Sequence, residues 1–156
     1  MTPELPEEIV EDAVKNFRKR HPEVRVSIQL PEEPILVPMD PILIEQVFVN
    51  ILENAVIHGE NTDRVAISVK QDNGYAVFTI TDNGCGIPED ILPHLFDGTL
   101  PLNKKKSDSG RSMRIGLSVC KAIIDAHNGK MSAVNRPEGG ASFCFALPLE
   151  EIKDGD

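Results

Sequence analysis

The chain has no tryptophan and a single tyrosine, so its core must be built from aliphatic side chains and six phenylalanines. Positive charge is also scarce: 16 Lys and Arg stand against 25 Asp and Glu, a formal charge of −9. That balance argues against a nucleic-acid partner, because a face that binds phosphate backbones is basic. Cysteine is limited to positions 85, 120 and 144, an odd number without framework spacing, which points to a reducing, cytoplasmic setting. There is no signal peptide and no apolar run of bilayer-spanning length, so no membrane-inserted part is expected. Internal repeats are lacking too, and 156 residues suit one domain.

What is present falls into amphipathic pieces. Pro6 to Arg20 carries Ile9, Val10, Ala13, Val14 and Phe17 at helical spacing and closes on Arg18, Lys19 and Arg20. Val24 to Leu30 alternates as a half-buried strand; after the turn Pro31 to Pro34, Ile35 to Val37 predicts a short edge strand bounded by prolines. Arg64 to Lys70 and Tyr75 to Thr81 alternate as well, and Asn73-Gly74 between them signals a type I′ hairpin turn. Pro88 to Phe96 predicts a short helix, and Ile115 to His127 a longer one stopped by Asn128-Gly129. Lys130 to Asn135 and Ala141 to Leu147 are the last strands, joined by Arg136-Pro137-Glu138-Gly139-Gly140. Helices and strands do not alternate strictly, which predicts one sheet covered on one face by helices.

Two motifs ask for the same ligand. In Asp82-Asn83-Gly84-Cys85-Gly86-Ile87 an acid ends a strand and two glycines follow, spaced by one residue. An ionised Asp only accepts hydrogen bonds and so suits the exocyclic amine of adenine. Gly84 and Gly86 lack a Cβ and let the chain turn sharply against a flat ligand. Upstream, Asp40-Pro41 caps a helix whose apolar stripe is Ile44, Val47, Phe48, Ile51, Leu52 and Ala55. Asn50 and Asn54 lie off that stripe, stacked on one face, with His58 a turn further on. Amides there can offer oxygen to magnesium and donors to phosphate; magnesium takes few protein ligands beside substrate phosphates.

From Asp97 to Arg111 periodicity fades and Lys, Ser, Asp and Gly dominate, as in a long mobile loop of the lid kind. Lys104, Lys105, Lys106, Arg111 and Arg114 gather positive charge just ahead of the helix expected from Ile115. The free N–H groups and dipole at such a helix start suit a triphosphate.

Together these segments resemble the ATP-binding catalytic domain of bacterial sensor histidine kinases, in the larger family that includes gyrase, Hsp90 and MutL ATPases. Val47 to Ala55 looks like that family's N box, Asp82 to Ile87 its G1 box, and Leu95-Phe96 a shortened F box. Ile115-Gly116-Leu117-Ser118 with Ala126-His127-Asn128-Gly129 resembles the G2 box and its helix; Gly140 to Pro148 resembles the terminal glycine box and strand. Asn135 to Gly140 is most similar to the Kdp-type sensors that respond to potassium or turgor.

The resemblance implies an α+β two-layer sandwich, the Bergerat ATP-binding fold, with a mixed, mostly antiparallel sheet of about five strands under about three helices. It implies ATP and Mg²⁺ as cofactors, Asn54 as the metal ligand, and Asp82 as the adenine reader. Gly84, Gly86 and Ile87 would form the loop that admits the base; Asn50, His58, Lys104, Arg114, Gly116, Leu117 and Ser142 would supply the other nucleotide contacts. The γ-phosphate would pass to a histidine on a dimerisation domain of the parent kinase, with a response regulator downstream. Residues 1–149 would form the catalytic domain with its lid at 97–114, followed by an acidic tail at 150–156.

The departures from the family pattern matter. Asn50 stands where hydrolytic relatives place a water-activating glutamate, and an amide is no base, so nucleotide would be held for transfer. Glu53, next to Asn54, points elsewhere on the helix. Ile57 replaces a basic residue, leaving His58 as the polar group nearby. Ser112-Met113-Arg114-Ile115-Gly116-Leu117 keeps one glycine of Gly-x-Gly-x-Gly; Arg114 does not readily take positive φ, yet a guanidinium can grip phosphate. Two other readings therefore stay open: a nucleotide-impaired regulatory scaffold, and a serine-directed kinase of the anti-sigma-factor type. None of His21, His58, His94 and His127 has the setting of a phosphoacceptor, and the dimerising hairpin is absent. The chain alone is expected to be a monomer, inactive without that hairpin, and the cytoplasmic part of a membrane-anchored sensor.

Overall fold

The computed structural model describes residues 1–96 and 108–149, and along 108–115 the backbone alone. The chain runs β1 (Thr2–Glu4), α1 (Pro6–Arg20), β2 (Arg25–Gln29), β3 (Val37–Met39), α2 (Pro41–Ile57), β4 (Arg64–Asp72) and β5 (Tyr75–Asp82). A 3-10 turn (Leu92–His94), α3 (Asp108–Ala126), β6 (Lys130–Asn135) and β7 (Ala141–Pro148) follow. Five strands form one sheet in the order β2-β4-β5-β7-β6. Only β2 and β4 run parallel, the pair whose connection includes a helix, α2; the other pairs are antiparallel. The turn between β4 and β5 has positive φ at Asn73 and Gly74, as an I′ hairpin demands.

Alternation sends Val65, Ile67, Val69, Ala76, Phe78, Ile80, Phe143, Phe145 and Leu147 to one face of the sheet, where they are buried. The helices cover that face, with α2 between α1 and α3. The apolar stripes of α1 and α2 are buried residue for residue as their spacing predicts. In place of tryptophan, Phe48 meets Phe78 and Phe145 edge-on with centroids 5.8 and 5.5 Å apart, while the latter two stack at 4.7 Å. The expected sandwich is the one found.

Several local expectations give way. The short strand is Val37–Met39 rather than Ile35 to Val37, and it pairs outside the main sheet with β1. The helix expected over Pro88 to Phe96 shrinks to a 3-10 turn, because Pro93 has no N–H to extend it. Helix α3 begins at Asp108 instead of Ile115. Ser112, Met113 and Arg114 carry no helix breaker, and without the missing glycines the helix runs through them. The N–H groups of residues 115–117 therefore bond within the helix, and the anion-binding helix start expected there is not at that place. Lys104 and its neighbours in 97–107, and the tail 150–156, lie outside the described residues, as do the side chains of Arg111 and Arg114.

One buried histidine fixes how α2 and α3 meet. Asp40 caps α2 by accepting the N–H groups of Ile42 and Leu43 at 3.0 and 3.1 Å. The Asp40 N–H donates to Nε2 of His127 at 3.0 Å, while His127 Nδ1 lies 2.8 Å from the Ile123 carbonyl. That requires the neutral tautomer with its proton on Nδ1. His127→Ala is expected to lower unfolding free energy by about 2 kcal/mol, since it strands buried polar groups. A urea midpoint that does not move at constant m would deny the imidazole this role.

Candidate functional site

The C-terminal end of α2 and the loop after β5 face each other across a cleft. Asn54, His58 and Gly59 line one side and Asp82, Gly86 and Ile87 the other, with Ala141 and Phe143 of β7 behind. It is narrow, about 20 Å³, so a ring seated there requires its walls to part.

Asp82 ends β5 and is 6% exposed. Its Oδ1 accepts the N–H of Gly84 at 2.9 Å and of Ala141 at 3.3 Å. Nη1 of Arg136 donates to the Asp82 main-chain carbonyl at 3.0 Å. Burial pushes the Asp82 carboxyl pKa up; the two N–H groups and the Arg136 charge oppose this without cancelling it. Across the cleft, Nδ2 of Asn54 is buried and has no partner among the described residues. An orphaned donor of this kind costs about 1–3 kcal/mol, which a ligand oxygen would relieve. The carboxylate and carboxamide singled out in the sequence thus share one cleft.

The glycine loop is clamped from both sides. A Cβ on Gly84 would fall 2.3 Å from Thr62 Oγ1 and 2.7 Å from the Gly59 carbonyl, so Gly84 serves close packing against the end of α2. The Cys85 N–H donates to that same carbonyl at 2.9 Å. Asn83 Oδ1 accepts the N–H groups of Asp63 and Arg64 at 3.1 and 3.0 Å. From β6, Asn135 grips Ile87 with both ends of its amide: Oδ1 accepts the N–H at 2.7 Å and Nδ2 donates to the carbonyl at 2.9 Å. Sequence reasoning missed Asn83, Asn135 and Arg136 as parts of this site. The available signal was an Asn-Arg pair at a strand end, just before two glycines.

Of the remaining candidates, His58 stays at the cleft, while Asn50, Leu117 and Ser142 lie outside its lining. His58 caps α2, and burial lowers its pKa below the ordinary imidazole value. Asn50 lies between helices and outside the cleft lining: Nδ2 donates to the Gly116 carbonyl at 3.3 Å, and Oδ1 accepts from Gln46 at 3.0 Å. Leu117 is fully buried in the core. Ser142 is a correction. Alternation turns it to the opposite face of the sheet, where its hydroxyl meets Thr81 Oγ1 at 3.2 Å, while Ala141 and Phe143 face the cleft. Glu53 turns toward α1 and pairs with Arg20 and His21 at 3.0 and 3.1 Å. Among the described residues no group of three or more His, Cys, Asp and Glu could hold a metal. A cation here would need oxygens brought by a ligand.

The sandwich and this cleft between α2 and the glycine loop define a class of nucleotide-binding domain. The chain belongs to the histidine kinase-, DNA gyrase B- and HSP90-like ATPase family, whose sequence profile matches residues 39–151. Over 147 residues, 94% of the chain, it is 43% identical to the sensor protein KdpD of Clostridium acetobutylicum, of which it spans 16%. The nucleotide-free catalytic domain of histidine kinase ThkA superposes with a TM-score of 0.76 and 26% identity, covering 95% of this chain and 96% of that one. A structure of ThkA in complex with response regulator protein TrrA shares the fold, with a TM-score of 0.76 and 24% identity over 96% of this chain and 42% of that one.

Proposed function

We propose that this domain binds Mg·ATP in the Asp82–Asn54 cleft and presents the γ-phosphate to a histidine on the dimerisation domain of a longer, KdpD-like sensor kinase. The observation that carries the reading is one cleft holding a buried carboxylate on one wall and an unpartnered buried amide on the other. Among the described residues both hydrogen bonds to the Asp82 carboxylate fall on Oδ1, so Oδ2 would be the acceptor for the adenine amine. Gly86 and Ile87, held by Asn135, form the edge against which the base lies. Asn54 would hold the metal through its amide oxygen and meet phosphate through its nitrogen, and Asn50, Lys104, Arg114 and Gly116 would supply the other phosphate contacts. Bound magnesium supplies charge neutralisation along the phosphates. With no carboxylate base among the described cleft residues beyond Asp82, which is engaged with the backbone, the pocket suits holding nucleotide for transfer. A response regulator would take the phosphoryl group from the histidine, in keeping with the ThkA–TrrA pairing. The parent would be a membrane-anchored sensor with this domain on its cytoplasmic side; among the described residues no helix is long and apolar enough to cross a membrane.

Asn54→Ala is expected to abolish the Mg²⁺ dependence of ATP binding while leaving adenosine binding within about twofold, since the base is read elsewhere. An unaltered metal titration would contradict the assignment. One observation favours a second reading: α3 runs as helix through Ser112–Arg114, where a glycine loop would wrap phosphates. If that helix is retained, the domain is a nucleotide-impaired scaffold. Titration with a non-hydrolysable ATP analogue and Mg²⁺ separates the two, because silence at millimolar nucleotide supports the scaffold.

A further inference from the structure

The face of the sheet turned away from the helices carries three arginines around one groove. Arg25 and Arg64 are Cα partners on the parallel strands β2 and β4, and both are exposed. Adjacent strands lie about 4.8 Å apart, and like charges directly opposite one another destabilise a sheet. Among the described residues neither has an ion-pair partner. Arg136 approaches from the turn after β6, and the three border a groove of about 540 Å³ lined also by the small residues Ser27, Ala66 and Thr81. Glu138 also lines the groove, but it is 66% exposed and lies 3.4 Å from Arg136. Among the described residues Arg25 and Arg64 are thus left without a paired acid, in a chain of formal charge −9.

We propose that this groove binds a multiply charged oxyanion of the phosphate class, seated between the guanidinium groups of Arg25 and Arg64 with Arg136 at the rim. Arginine forks match tetrahedral oxyanions bidentately, and two of them one strand spacing apart converge on a single such group. The hydroxyls of Ser27 and Thr81 add donors on the same face. Anion binding also removes the repulsion between two register partners, a gain that a neutral ligand would not bring. The groove opens on the face of the sheet turned away from the Asp82–Asn54 cleft, with Asp82 and Asn83 along its edge beside Arg136, and the proposal does not depend on the nucleotide reading.

The test is an amide-resolved NMR titration of the chain with inorganic pyrophosphate in metal-free buffer. Saturable shifts at Ser27, Ala66, Thr81 and Gly139 are expected. Arg25→Gln/Arg64→Gln is expected to weaken binding by at least about tenfold. Lys70→Gln/Lys130→Gln makes the same charge change at the other end of the same face, and is expected to stay within about twofold. The arginine variant sheds repulsion and is expected to melt no lower than the native chain, so loss of fold does not mask the result. Shifts confined to Asn54, His58, Gly86 and Ile87 would place the anion in the cleft instead and overturn the proposal. Equal weakening by both variants, or no saturable shift at millimolar pyrophosphate, would do the same.

Discussion

Asp82→Asn is expected to weaken ATP binding by about thirtyfold, equivalent to about 2 kcal/mol for a hydrogen bond to a charged group. The Gly84 and Ala141 N–H groups both need an oxygen at the Oδ1 position. An asparagine that keeps its oxygen there turns an amide donor toward the amine of adenine, donor against donor. Guanine carries a carbonyl at that edge and loses far less, so the preference for ATP over GTP narrows. The pH dependence changes as well. Burial holds the Asp82 pKa above the ordinary 3.8, and the ionised form is the one that accepts the amine. Native affinity therefore falls as pH falls through that raised pKa, and the variant lacks this acid limb. Stability carries the opposite sign: a folded-state pKa above the unfolded one favours the protonated native state, so that contribution exists at low pH and is lost as pH rises through the folded value. Calorimetric titration of ATP and GTP between about pH 4 and 8, with the variant as reference for the nucleotide's own protons, reads these effects. An unchanged ATP preference together with an unchanged acid limb would remove Asp82 from base reading.

The determinants that were legible in the chain are the local ones. Ile44 to Ala55 sets the buried side of α2 by period alone, and its burial follows residue for residue. Tyr75 to Thr81 delivers Asp82 by alternation, and Asn73-Gly74 supplies the turn before it. Asn54 and Asp82 then meet because the end of a helix and the end of a strand lie over the same end of the sheet. What escaped is either parity or partnership. Ser142 sits one residue from Ala141, and a single step along a strand exchanges the two faces. Thr2–Glu4 has no strand signal of its own and is extended because β3 offers it an edge. Asn135 reaches Ile87 across 48 residues, which no local window registers. The early start of α3 belongs here too: Leu117, Cys120 and Ile124 anchor the helix in the core, and propagation backward from a formed turn needs only residues that do not forbid it.

Gly140→Ala is expected to be the most damaging small substitution near the cleft, by roughly 2–5 kcal/mol of stability. Two penalties combine at this position. Gly140 has φ +91, a conformation that L side chains rarely adopt, and a Cβ there would fall 2.0 Å from the Asp82 carbonyl oxygen and 2.8 Å from its carbon. Both contacts are backbone, so no side chain can yield; the β6–β7 turn or the end of β5 must shift. That movement also withdraws the Ala141 N–H from Oδ1 and strains the Arg136 bond to the Asp82 carbonyl, so ATP affinity falls along with stability. The neighbouring glycine separates the two penalties. Gly139 has φ +108 but nothing within 4 Å of its would-be Cβ, so Gly139→Ala incurs the backbone strain alone, roughly 1–2 kcal/mol, and leaves nucleotide affinity near native. Urea unfolding of both variants, with an ATP-analogue titration of each in its folded range, measures the difference. Equal losses at the two positions would show that strain dominates and that the turn does not press on Asp82; a larger loss at 140 with weakened binding ties the shape of this turn to the nucleotide cleft.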